Sequence, residues 1–137
     1  MSGFGTKARD GWKRGAGAAL LAMLLTLPPA HAAAQTVPAE MFRLAEVLGA
    51  VHHLRTVCGT REGQLWRNKM IEMLGATRPT DIERQELIAR FNDAFHGMRG
   101  RYTTCSRTAA AQSDKLFEEG QRIAQELAVK GYGRPAR

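Results

Sequence analysis

The sequence predicts an all-α fold: a small up-down four-helix bundle, linked by a disulfide and preceded by a signal peptide. Three observations carry this. Apolar residues recur at spacings of three and four through four successive segments, which is the helical period. No stretch of strand length alternates apolar and polar residues. The two cysteines, Cys58 and Cys105, stand far apart in a chain whose beginning reads as an export signal.

That signal occupies residues 1–34. Lys7, Arg9, Lys13 and Arg14 precede the apolar run GAGAALLAMLLTL, and the small-residue stretch PPAHAAAQ follows, the order of a cleavable secretory leader. Cleavage fits after Ala32 or Ala34, with an uncleaved anchor as the alternative. The run is too short to span a bilayer comfortably, which takes roughly 20 residues. No cysteine lies near the cleavage site to carry a lipid. The expected location is therefore the periplasm, with no transmembrane span after cleavage.

Removal of the leader changes the charge. The whole chain has 20 basic and 13 acidic residues and a net charge of +7, and the leader holds four of the bases and Asp10. The remainder carries 16 against 12, or +4, so much of the basicity belongs to targeting. Nucleic acid is not expected as a partner. About a hundred residues remain, enough for one domain with a modest core.

The first helix of that domain, residues 35–132, follows Pro38. Leu44, Val47, Leu48, Val51, Leu54 and Cys58 form one face, and Gly59 stops it. A shorter second helix starts after Thr60, turns Leu65, Trp66, Met70, Met73 and Leu74 inward, and ends at Gly75. Pro79 then breaks the chain. Thr80-Asp81-Ile82-Glu83 matches a capping box and opens the third helix. Its stripe runs through Leu87, Ile88, Phe91, Phe95, Met98, Tyr102 and Cys105, weakened late by Gly97 and Gly100. The fourth helix begins near Ser106 or Thr108 and presents Leu116, Phe117, Gly120, Ile123, Ala124 and Leu127. The segment KGYGRPAR is expected to fray, with 133–137 as the tail proper. Short loops favour antiparallel neighbours and up-down order.

In such a bundle the ends of the first and third helices share a pole, which brings Cys58 and Cys105 together. A bridge closing about 48 residues is worth roughly 4 kcal/mol in the chain-entropy model. A redox or metal role for the pair is the less favoured reading. Catalytic dithiols usually stand close together, and a zinc site needs more ligands.

His52 and His53 point about 100° apart on a helix. Asp93 and His96 resemble half of a carboxylate-bundle metal motif whose other half is missing. A metal or ligand site built from His52, Asp93 and His96 is the alternative function; boundary histidines bonded to neighbours are the plainer reading. No nucleophile elbow, H-E-x-x-H helix, phosphate-cradling loop or haem-attachment motif occurs, so neither an enzyme nor a cofactor is expected.

Arginines are the more suggestive residues. Arg55 and Arg61 flank Cys58, while Arg99, Arg101 and Arg107 flank Cys105. Closing the disulfide gathers all five at one pole, together with the positive ends of the second and fourth helices. Such a pole suits an anionic envelope polymer, a lipid head group or an acidic envelope protein. The competing reading has Arg55, Arg99 and Arg101 merely complementing the negative ends of the first and third helices.

With these residues in view, the chain resembles an uncharacterised family of small exported alphaproteobacterial proteins with two well-separated cysteines. The likeness runs from about Leu44 to Leu127. It is carried by LAEVLGAVHHLRTVCG, with Leu48, Gly49, His52, Leu54, Arg55, Cys58 and Gly59, and then by Trp66-Arg67, Met70, Phe91-Asn92, Tyr102 and Cys105. The resemblance implies a disulfide between the cysteines and no known function. An aromatic residue commonly follows the first histidine in that pattern, and His53 takes its place here. The sequence thus supports a non-enzymatic periplasmic interaction module.

Overall fold

A computed structural model describes residues 37–132. The expected leader and the tail at 133–137 lie outside the described residues. Four helices make up the fold: α1 (Ala39–Val57), α2 (Leu65–Thr77), α3 (Asp81–Arg101) and α4 (Arg107–Val129). Among the described residues there is no strand, and no helix is long and apolar enough to cross a membrane.

α1 is the hub. The run Ala45, Val47, Leu48, Gly49, Ala50 and Val51 puts small and apolar residues all round the helix, and all six are buried. A helix apolar on every side has to be surrounded, and α2, α3 and α4 each pack against this one. α3 runs parallel to it, since the pairs Val37–Glu83, Glu46–Arg90 and Cys58–Cys105 advance together along both. α4 runs antiparallel, with Glu40 bound to Lys130 and Arg43 to Glu119. The up-down order holds, but α3 lies directly on α1.

Gly49 permits that contact. A Cβ there would stand 2.8 Å from the Phe91 carbonyl carbon, so only glycine lets the two backbones meet. Two apolar clusters fill the interior. One joins Met41, Ala45 and Leu48 to Met70, Leu74, Leu87, Phe91 and Leu127; the other joins Val51 and Leu54 to Ala109 and Leu116.

The capping box is present. Thr80 Oγ1 accepts from Glu83 N at 3.3 Å, and Glu83 Oε2 accepts from Thr80 N at 2.9 Å. Glu83 also accepts from the buried Val37 N–H at 3.1 Å, which ties the start of the domain to α3. Ser106 caps α4, accepting from Ala109 N at 3.1 Å.

Several boundaries differ from the sequence expectation. Residues 61–64 form a turn, with Gly63 at φ 53°, so α2 starts later, at Leu65. It passes through Gly75 to Thr77 and ends on a left-handed Arg78. α3 stops at Arg101, leaving Tyr102 and Cys105 in the connection to α4. Nor does fraying begin at Lys130: Tyr132 N donates to Leu127 O at 2.9 Å, and the Tyr132 ring packs on the core. Ile88 and Phe117, expected inside, are 41% exposed.

Candidate functional site

The α1 and α3 ends meet as expected. Cys58 and Cys105 are bonded, with Cα atoms 4.7 Å apart, and no free cysteine remains among the described residues. Beside the bridge, the buried ring of His53 places Nε2 2.7 Å from the Tyr102 carbonyl oxygen. A carbonyl can only accept, so Nε2 carries the proton and donates. This bond holds the connection that follows α3; Arg99 and Arg101 in the last turn of α3, Cys105 in the connection and Arg107 at the start of α4 are all exposed.

The five arginines divide into two groups. Arg55 is engaged: its Nε lies 3.0 Å from both oxygens of Glu62, and its Nη2 also binds Oε1. Glu62 further accepts from the Trp66 indole at 2.6 Å. The Arg55 guanidinium and the indole hold the Glu62 carboxyl below its ordinary range against a smaller opposing effect of burial. Arg55 is thereby withdrawn from the expected anion site, because a glutamate seven residues on closes over it. Arg61, Arg99, Arg101 and Arg107 are exposed, and none has an ion-pair partner among the described residues. Their charge faces solvent.

Arg67, Arg78, Arg84 and Lys115 likewise have no ion-pair partner among the described residues, but along one flank of α1 the charges neutralise one another. Glu86, Arg90, Glu46, Arg43 and Glu119 form a chain of ion pairs across α3, α1 and α4, each link at 2.7–2.9 Å. Burial works to raise Glu46, but the Arg43 and Arg90 guanidiniums outweigh it and leave the carboxyl below its usual range. What singles out the pole is that Arg61, Arg99, Arg101 and Arg107 all stand within six residues of a bridged cysteine.

His52, Asp93 and His96 do not assemble. His52 packs its ring on Phe91 and Phe95, with centroids at 6.1 and 5.4 Å. Asp93 lines a groove between α3 and α4 that also contains Arg101, and His96 is exposed beside Phe95. No group of three or more His, Cys, Asp or Glu side chains that could hold a metal occurs among the described residues. Helical spacing set Asp93 and His96 near each other, but α1 meets α3 through the two phenylalanines. Burial, then the charges of Arg67 and His53, push the His52 pKa down.

A feature the sequence reading missed is an apolar cleft of about 280 Å³. Its floor is Leu44, Val47, Leu48 and Val51 of α1. α2 contributes Leu65, Trp66 and Met73, and α4 contributes Phe117, Gly120 and Ala124. The Trp66 and Phe117 rings meet edge to face across it, 5.7 Å apart. These residues fit a helical core pattern equally well, so only the placement of α2 and α4 on one side of α1 reveals an opening.

A family model described as "Protein of unknown function (DUF2385)" matches residues 37–131, nearly the whole described domain. No match was found among curated proteins or among solved structures.

Proposed function

The chain belongs to that family, and from its own residues we propose that it is a non-enzymatic interaction module of the periplasm. Its pole bearing Arg61, Arg99, Arg101 and Arg107 contacts an anionic envelope component or an acidic protein surface. The observation that carries this is the set of four exposed arginines without carboxylate partners among the described residues, flanking in sequence the two cysteines whose bridge joins the ends of α1 and α3. Arginine presents a planar fork of donors suited to phosphate and carboxylate oxygens. The exposed N-terminal turn of α4, opening at Arg107, adds its positive dipole end.

Export through the leader would bring the domain to an oxidising compartment where the bridge persists. The test is capture of the tagged protein from crosslinked envelopes, beside a variant with Arg99, Arg101 and Arg107 all changed to Ser. The reading expects a partner held by the parent and lost by the variant. Identical profiles would return the arginines to the role of complementing helix ends.

A further inference from the structure

The cleft between α2 and α4 is the strongest unassigned feature of the molecule. It continues past Lys69 into a second opening of about 340 Å³ that reaches Met41, Leu127 and Tyr132. The two share Leu44, Lys69, Met73 and Ala124, so together they follow α1 from Met41 to Val51, about 15 Å at the helical rise. Either opening is near the lower bound of about 300 Å³ for ligand pockets.

The chemistry of the lining narrows the occupant. Apart from Lys69 and Gln121, the first cleft is walled by aliphatic and aromatic side chains of three helices whose backbone groups are already bonded within the helices. A peptide strand laid there would bury a row of N–H and C=O groups with only the Gln121 amide and the Lys69 ammonium to receive them, at a cost of a few kcal/mol for each left unpaired. A hydrocarbon chain carries no such groups and gains from leaving water. Leu65 and Phe117, 40% and 41% exposed at the mouth, are large apolar surfaces that such a chain would cover.

Charge supplies the other half. Among the described residues, Lys69 is the only charged residue lining the first cleft, and it stands where the two openings join, with Glu72 lining the second. Its ammonium reaches Glu72 at 2.8 Å, but both side chains are at least half exposed, so that pair holds weakly and can yield to another anion. We infer that this cleft binds the single hydrocarbon chain of an anionic amphiphile, with the acidic head group against Lys69. This inference is independent of the arginine pole.

Trp66 provides the reporter. The chain has two tryptophans, Trp12 and Trp66, so the full chain carrying Trp12→Phe reports from the cleft alone. Dodecanoate, dodecyl phosphate and the neutral dodecanol are titrated below their aggregation limits, by fluorescence and by calorimetry. The proposal expects one saturable site, a blue shift of the Trp66 emission, and binding of one or both anions about tenfold tighter than dodecanol, the ratio that 1.4 kcal/mol of head-group contact gives. The preferred anion shows whether the head group is carboxylate or phosphate. Ala124→Phe, which fills the junction of the two openings, should abolish uptake of all three. Lys69→Glu, at an exposed position, should erase the preference for anions while leaving dodecanol binding in place. Saturable binding that survives Ala124→Phe would overturn the proposal, as would no saturable binding of either anion. Self-association that Ala124→Phe abolishes, without uptake of either anion, would make a second copy of the chain the occupant and overturn it equally.

Discussion

Gly49 of α1 lies directly against the backbone of Phe91 in α3, and this contact sets how closely the two parallel helices approach. A Cβ at Gly49 would overlap a main-chain carbonyl, which cannot rotate away as a side chain can. Gly49→Ala should therefore cost about 3 kcal/mol, the upper end of ordinary overpacking. A urea midpoint unchanged by the substitution would contradict so close an approach.

The Cys58–Cys105 bridge spans 47 residues of sequence, for which the chain-entropy model gives roughly 4 kcal/mol. Replacing both cysteines by Ser should lower stability by about that amount while helicity in the absence of denaturant is retained. The check is denaturant unfolding of the double variant beside the parent.

Glu83 is buried while accepting from Val37 N, Thr80 N and Thr80 Oγ1. Glu83→Ala would orphan the buried Val37 N–H and dismantle the capping box, so a loss of about 2 kcal/mol is expected. Thr80→Ala, which removes only the cap, should cost about half of that. Equal losses in the two variants would show that the bond to Val37 contributes nothing.

Stability should depend on pH in two windows. The His52 pKa lies below its ordinary 6.5 in the folded chain, chiefly through burial. As pH falls below about 6.5 the unfolded chain takes up a proton that the folded one resists, so stability declines. His52→Phe should flatten this part of the profile. Glu46, Glu62 and Glu119 are held below their ordinary 4.5 in the folded state. Their contribution is full above that value and is lost as pH falls through the lowered ones. Unfolding midpoints measured from about pH 8 to pH 3 test both windows, and a flat profile would contradict them.

Much of the fold was legible because local signals agreed with one another. Thr80 and Glu83 mark a helix start by side-chain chemistry alone, and that capping box is present; the start of the fourth helix is open in sequence between Ser106 and Thr108, and Ser106 is the cap. The disulfide followed from up-down order, since that order puts both cysteines at one pole. The central position of α1 was harder to see. Its apolar residues were read as one stripe, whereas Ala45, Gly49 and Ala50 complete a circumference in which small residues mark close neighbours.

The candidate site was legible only in part, for a related reason. Sequence spacing gathers arginines at a pole but does not show that Glu62 folds back across a turn onto Arg55. Asp93 and His96 share a helix, yet the packing of His52 on Phe91 and Phe95 keeps the three apart from a common centre. The cleft depends on three helices at once, and no single helical pattern contains it.

The most direct measurement of the central claim is titration of polyphosphate and of polyglutamate into the disulfide-bonded protein, beside the variant with Arg99, Arg101 and Arg107 changed to Ser. Binding of at least one polyanion that weakens with added salt, and falls about tenfold or more in the variant, is the predicted result. Equal binding by parent and variant, or no binding by the parent at low salt, would contradict an arginine pole that recognises anions.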